Sequence, residues 1–285
     1  MLIRPVLQDE DFIADVQRAQ RLRDQFHLWW LGQSGFLLQW NDHHLLFDPY
    51  LSDSLTKKYA TTDKPHVRMT ERVVAPEKLG FVNVVTSSHN HTDHLDAETL
   101  VPILKANPKL NIVIPEANRE FVSDRLQVVA ELPIGLDAGR HTKVNGFNIH
   151  AVPAAHEKIE KDEEGRCKFL GYVVEFGGWR VYHSGDTVRY PGMAETLQQF
   201  PIDVALLPIN GAKPERRVAG NLNAREAAEL GAEIRARCVI PCHYDMFEFN
   251  TANPTEFVMH AKVAGVNARV LLAGERWSSR ELPSK

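Results

Sequence analysis

The stretch SSHNHTDHLD at positions 87–96 follows the apolar run FVNVV after a single threonine and sets three histidines and an aspartate within six positions. The whole chain holds 13 histidines among 285 residues, so imidazole is concentrated here beyond what packing needs. In extended backbone, side chains two residues apart point to the same side, and His89 and His91 can reach one ion together. Asp93 and His94 are adjacent, and both can point inward only at a turn, here the entry to a helix starting near Asp96. The spacing predicts two ligand sets, His89 with His91 and Asp93 with His94, for two neighbouring cations. An isolated histidine is usually exposed or satisfied in the core. A cluster at the end of a buried strand is different, because α/β architectures place their sites there. The letters HNH do not make an HNH nuclease, which needs separated residues on a ββα finger.

Further ligands are expected at other strand ends, and the sequence offers three. VPAAHEK carries His156, VYHSGDT carries Asp186 in a glycine-containing turn, and VIPCHYD carries His243. A carboxylate can bridge two cations, and Asp186 is the candidate. The set is imidazole and carboxylate without thiolate, which suits Zn, Mn or Fe as divalent ions. Cys242 adjoins His243 but faces the opposite side of its strand, so it reads as a buried structural thiol.

Around these points the chain reads as alternating elements. Residues 8–24 have helical apolar spacing. HLWWL, GFLLQW and HHLLFDP suggest an antiparallel meander, and residues 51–80 read as a long polar loop. A second half repeats strands and then helices, with Asn223 as an N-cap and ARVLLA as a closing strand. Residues 1–26 form a helical segment, and 27–285 one domain built of two related halves. Two sheets packed face to face, with helices outside, would bury these runs. Trp29 and Trp30 belong to that packing. The net charge of −4 and the lack of a basic run exclude a nucleic-acid footprint. No run approaches the ~18 apolar residues of a membrane span, and no membrane anchor is expected. Three cysteines without a CxxC suggest a reduced, cytoplasmic protein, with homo-oligomers open.

The combined pattern resembles the metallo-β-lactamase superfamily, whose hallmark is HxHxDH followed by His, Asp and His. The resemblance spans roughly residues 27–275 and implies an αββα four-layer sandwich. It also implies that His89, His91 and His156 bind one metal, that Asp93, His94 and His243 bind a second, and that Asp186 bridges them. WWLGQSGFLLQW, LLFDPYLSD, VYHSGDT and VIPCHYDMF are similar to the branch holding L-ascorbate-6-phosphate lactonase and the N-acyl-phosphatidylethanolamine phospholipase D enzymes.

Two divalent ions, two aspartates and a hydroxide leave a centre of about one positive charge, since neutral imidazole adds none. It would polarise C=O or P=O bonds and lower the pKa of water toward ~7. The expected activity is hydrolysis of an ester or lactone of a sugar acid, phosphorylated or not, with sugar-acid lactones the class the resemblance implies and a small anionic substrate. A phosphodiesterase or phospholipase-D-like hydrolase is the second reading, and a non-enzymatic metal-binding protein the third. Asp93 and Asp186 would orient the hydroxide. Asp48 is placed to fix a ligand histidine. Tyr244 is a candidate substrate contact. Arg68, Arg72 and Arg189 are candidate anion clamps, and His183 a support or substrate neighbour.

Overall fold

The computed structural model describes residues 1–283. Helix α1 (Asp9–Ala19) leads into a meander of strands β1 (Phe26–Gly32), β2 (Gly35–Trp40) and β3 (His43–Phe47). Short helix α2 (Ser54–Tyr59) precedes β4 (Val84–Thr86), α3 (Ala97–Ala106), β5 (Asn111–Pro115), α4 (Arg119–Leu126) and β6 (Ile134–Leu136). Strands β7 (His141–Val144), β8 (Phe147–Pro153), β9 (Leu170–Phe176) and β10 (Trp179–His183) follow, then α5 (Met193–Leu197). The chain closes with β11 (Val204–Pro208), α6 (Ala224–Glu233), β12 (Cys238–Cys242), α7 (Pro254–Ala264) and β13 (Arg276–Ser278).

These strands form two mixed sheets, in the orders β13-β1-β2-β3-β4-β5-β6 and β12-β11-β10-β9-β8-β7. The meander pairs antiparallel, and β3 to β6 run parallel. In the second sheet β7 to β10 are antiparallel, and β10, β11 and β12 are parallel. Aromatic contacts tie the facing sides together: Phe26 meets Phe176 at 5.3 Å between ring centroids, and Phe47 stacks on His183 at 5.0 Å. Strands covered on both faces carry nearly unbroken apolar sequence, as VALLP and CVIPC do here. Helices cover the outer faces and complete the αββα sandwich.

Local chemistry sets the helix ends. Asn223 caps α6 by a reciprocal pair: its side chain accepts from Glu226 N at 3.0 Å, and Glu226 Oε2 accepts from Asn223 N at 2.9 Å. Helix α7 starts at an Asn-Pro pair and stops at Gly265, whose φ is +70°. Helix α1 buries Phe12, Val16 and Ala19 in the main core, and Asp15 accepts from Trp29 Nε1 at 3.0 Å. The N-terminal segment is therefore packed onto the sandwich.

Three expectations are corrected. Residues 51–80 contain α2 and a 3₁₀ turn at Pro76–Leu79, because Leu55, Val73, Val74 and Leu79 among the polar residues bury. ARVLLA is not a strand: apart from a bridge from Ala268 to Val239 it turns, with Leu272 N donating to Glu275 at 2.9 Å. The closing strand is β13, antiparallel to β1. Edge strand β7 escaped notice because HTKV is too polar to read as a buried run.

Candidate metal centre

The ends of β3, β4, β8, β10 and β12 deliver Asp48, the 87–96 loop, His156, Asp186 and His243 to one place. A Cβ at Gly185 would stand 2.5 Å from Ser88 Cβ, so only glycine lets the loop after β10 approach the loop after β4. Ser87 Oγ donates to the His89 carbonyl at 2.8 Å, and His94 N and Leu95 N both donate to the His91 carbonyl. That turn points Asp93 and His94 inward together.

Two groups of donor atoms result. One atom each from His89, His91 and His156 lie within 4.8 Å of one another, and so do one each from Asp93, His94, Asp186 and His243. Asp186 faces both groups: Oδ1 is 3.3 Å from His94 Nε2, and Oδ2 is 3.3 Å from His243 Nε2 and 3.5 Å from His156 Nε2. Ligands of a tetrahedral zinc at about 2.0–2.1 Å would stand about 3.3 Å apart. His89 Nε2, His94 Nε2 and Asp186 Oδ1 are buried without a hydrogen-bond partner among the described residues. Orphaned acceptors are costly unless something binds them, so the donor set fits divalent cations.

Charge within the cluster is self-balancing. Burial disfavours the charged form of His94, but the Asp186 and Asp93 carboxylates outweigh it and hold its pKa well above the ordinary value. Burial likewise opposes ionisation of Asp186, yet His94 and His243 drive its pKa well down. His89 is pushed well down by burial and by its histidine neighbours.

A second layer fixes orientation. Asp48 Oδ2 lies 2.6 Å from His94 Nδ1, and Asp48 Oδ1 accepts from Ser88 N at 2.9 Å. His156 Nδ1 donates to the Gly220 carbonyl at 2.7 Å, which turns Nε2 toward Asp186 and makes it the ligating nitrogen of the neutral ring. Gln33, at the β1–β2 turn, donates from Nε2 to Asp93 Oδ2 at 2.8 Å. Asp48, Gln33 and His243 all hold left-handed backbone, with φ of 38°, 49° and 65°. Such strain costs about 1–3 kcal/mol per residue and collects at functional sites.

A profile of the beta-lactamase superfamily domain matches residues 27–243. The chain belongs to the beta-lactamase superfamily. It is 30% identical over 245 residues to a UPF0173 metal-dependent hydrolase of Pyrococcus horikoshii, covering 85% of this chain and 93% of that protein. A relative of the same description in Rubrobacter xylanophilus is 29% identical over 251 residues, covering 85% and 90%. Among solved structures, a metallo hydrolase of Ignicoccus hospitalis superposes with a TM-score of 0.65 at 23% identity, covering 89% of this chain and 98% of that one. A possible metal-dependent hydrolase of Veillonella parvula gives 0.70 at 18%, with the same coverage. These structures share the fold. By its superfamily the chain is a metal-dependent hydrolase, and no helix of the described residues is long and apolar enough to cross a membrane.

Within this superfamily member, the cleft over the ligand cluster encloses about 520 Å³. Five sequence expectations do not reach it. Arg68 donates to the Ser52 carbonyl at 2.7 Å and to the Thr70 carbonyl at 2.6 Å, so its guanidinium is committed elsewhere. Arg189 pairs with Glu233 at 2.5 Å outside the cleft. Tyr244 is buried against Trp30 and donates to the Leu271 carbonyl, a core role. His183 is buried too: Nε2 donates to the Ser34 carbonyl at 2.9 Å, and Nδ1 accepts from Gly185 N at 3.3 Å. It braces the turn before Asp186 and meets no substrate. Arg72 lines a separate surface recess with Arg68.

The cationic rim is made instead by Lys58, Lys64 and Arg217, beside Tyr59, His66 and Phe249. Arg125 supports the metal loop from below, donating to the Asn90 carbonyl at 2.8 Å and the Leu95 carbonyl at 3.2 Å. None of these carries a motif: KKY, DKPH and RRV read as ordinary polar surface. Cys242 is buried and unpaired, and burial raises its thiol pKa well above the usual value.

Proposed function

We propose that the protein hydrolyses a carboxylic ester or lactone of a small anionic acid, with phosphorylated sugar-acid lactones the leading class. The observation that carries the reading is Asp186, one carboxylate facing both donor groups at 3.3–3.5 Å. His89, His91 and His156 would hold one divalent cation, and Asp93, His94 and His243 the other, with Asp186 shared. Two such ions, zinc or manganese by donor chemistry and iron also within reach, would supply Lewis acidity and hydroxide at neutral pH.

The chain's own residues do the rest. Asp48 and the Gly220 carbonyl fix the tautomers of His94 and His156, and Gln33 steadies Asp93. Lys58 and Lys64 at the rim suit a substrate with negative charge away from the scissile bond, while the neighbouring Arg217 is paired with Asp63. The same rim favours a second reading, a phosphodiester substrate, because bimetal sites also serve phosphoryl transfer. The lactone is preferred on the resemblance of WWLGQSGF and HSGD to the lactonase branch. A hydrolysis screen on zinc- and manganese-loaded protein separates the readings, using sugar-phosphate lactones, plain lactones and phosphodiesters side by side. Faster turnover of phosphodiesters would replace the first reading with the second. Bound metal with no turnover of any of them would favour a non-enzymatic metal-binding role.

A further inference from the structure

His66 lines the same cleft as His91, Asp93 and Asp186 but belongs to neither donor group. Its ring stacks on Tyr59 with centroids 4.3 Å apart and meets Phe249 at 4.5 Å and Phe247 at 5.0 Å, both edge-on. Three aromatic walls leave the imidazole little freedom to turn. Nδ1 lies 2.9 Å from the Lys64 carbonyl, which can only accept, so Nδ1 carries a proton in every state. Nε2 has no hydrogen-bond partner among the described residues, and it is the nitrogen free to exchange a proton with a bound substrate.

Ester hydrolysis needs such a group. The departing alkoxide is a strong base, and an unassisted departure is slow for alkyl alcohols and for the ring oxygen of a lactone. The acidic groups and two of the three rim cations serve badly. Asp93 and Asp186 sit among the histidines as carboxylates, Arg217 cannot release a proton, and Lys64 is bonded to the Arg217 carbonyl. Imidazole titrates close to a working pH, where an acid catalyst is most effective. Burial lowers the pKa of His66, while the Lys64 carbonyl and Asp93 oppose that and Lys58 and Lys64 add to it.

We propose that His66 is the catalytic proton donor to the leaving oxygen, an assignment that rests on the hydrolase reading above. As the C–O bond breaks, its electron pair goes to oxygen and takes the proton from Nε2 of the imidazolium. Neutral imidazole remains, with Nδ1–H still bonded to the Lys64 carbonyl, and a solvent proton restores the acid. In a lactone the accepting atom is the ring oxygen, which becomes a hydroxyl of the product.

The test compares His66→Gln with the unaltered protein, both metal-loaded, on esters of one acid with 4-nitrophenol, phenol and ethanol. The 4-nitrophenyl ester should lose no more than about threefold, and the ethyl ester about 10²- to 10⁴-fold, the range of general acid catalysis. His66→Phe keeps the ring stack without the nitrogens and should show the same split. Nitrogen NMR of metal-free protein should find the neutral ring protonated on Nδ1. Equal losses on all three esters, no loss on the ethyl ester, or a proton resting on Nε2 would each overturn the assignment alone. Failure of the unaltered protein to turn over any ester would overturn the carboxylic-ester reading with it.

Discussion

His94 Nδ1 stands 2.6 Å from Asp48 Oδ2, and both side chains are sealed from solvent. The pair turns His94 Nε2 toward Asp186 and Asp93, so Asp48 would act on a bound metal through its neighbour. Asp48→Asn keeps an acceptor for Ser88 N but loses the charge. It should bind zinc about 10- to 100-fold more weakly, as loss of such partners does elsewhere. Competition against a chromophoric chelator measures this, with circular dichroism to confirm an unchanged fold. Unaltered affinity would remove Asp48 from the site.

Metal content should follow the two donor groups. Elemental analysis of purified, unchelated protein should give about two ions per chain, one per group of converging donors. His91→Ala should retain about one, since it cuts only the His89 and His156 group, and Asp186→Ala should weaken both. Full metal content in Asp186→Ala would contradict the shared role.

Acid should destabilise the protein for a reason remote from the cleft. Burial lowers the pKa of His44 to about 4, from 6.5, with His43 adding to it and Asp42 opposing. Its Nε2 lies 2.8 Å from Gln39 Nε2, which donates, so a proton there would face a donor. His27 is lowered to about 4 as well, first by burial and then by Arg276. Because the folded pKa lies below the unfolded one, the unfolded chain takes up more protons between pH 6.5 and 4. The stabilisation supplied by these two histidines is therefore whole above pH 6.5, falls as pH drops toward 4, and is spent below. His44 alone accounts for about 3 kcal/mol at most. His44→Gln should show a shallower fall in melting temperature from pH 7 to pH 4.5 than the unaltered protein. Parallel curves would refute the assignment.

Rim charge should control binding more than chemistry. Lys58 lies over the Tyr59 ring at 5.1 Å and lines the cleft. Lys58→Glu should raise KM for an anionic ester by about tenfold at low salt and by less at high salt, where exposed charges are screened. An uncharged ester should respond by no more than about twofold. A matching rise for both esters would point to altered packing.

The donor residues could be read from the sequence because strand ends impose order on them. FVNVV, VPAA, VYHSG and CVIPC are apolar runs, and a histidine or aspartate just past such a run has few reasons to be there. The Asp48 role was legible only through the family resemblance, since an aspartate before Pro49 also reads as a turn former. Gln33 was not, since its approach to Asp93 depends on a left-handed turn that no side-chain pattern announces. Arg68 and Arg189 misled because charge in a polar stretch says nothing about direction: one serves backbone carbonyls and the other a surface glutamate. His66 gave no signal, since its partners come from residues 59, 247 and 249, far apart along the chain. ARVLLA looked like a strand, but it meets the free edge of β12 only at the Ala268–Val239 bridge, and the pairing stops there because the chain turns at Ala273 and Gly274 to enter β13.

The donors divide along the chain: His89, His91, Asp93 and His94 precede residue 100, while His156, Asp186 and His243 follow residue 150. A cation held by either donor group would be gripped by both stretches at once, like a rivet through two plates. A chain severed between β6 and β7 should yield fragments that are individually blind to zinc, and adding the ion should drive them back together.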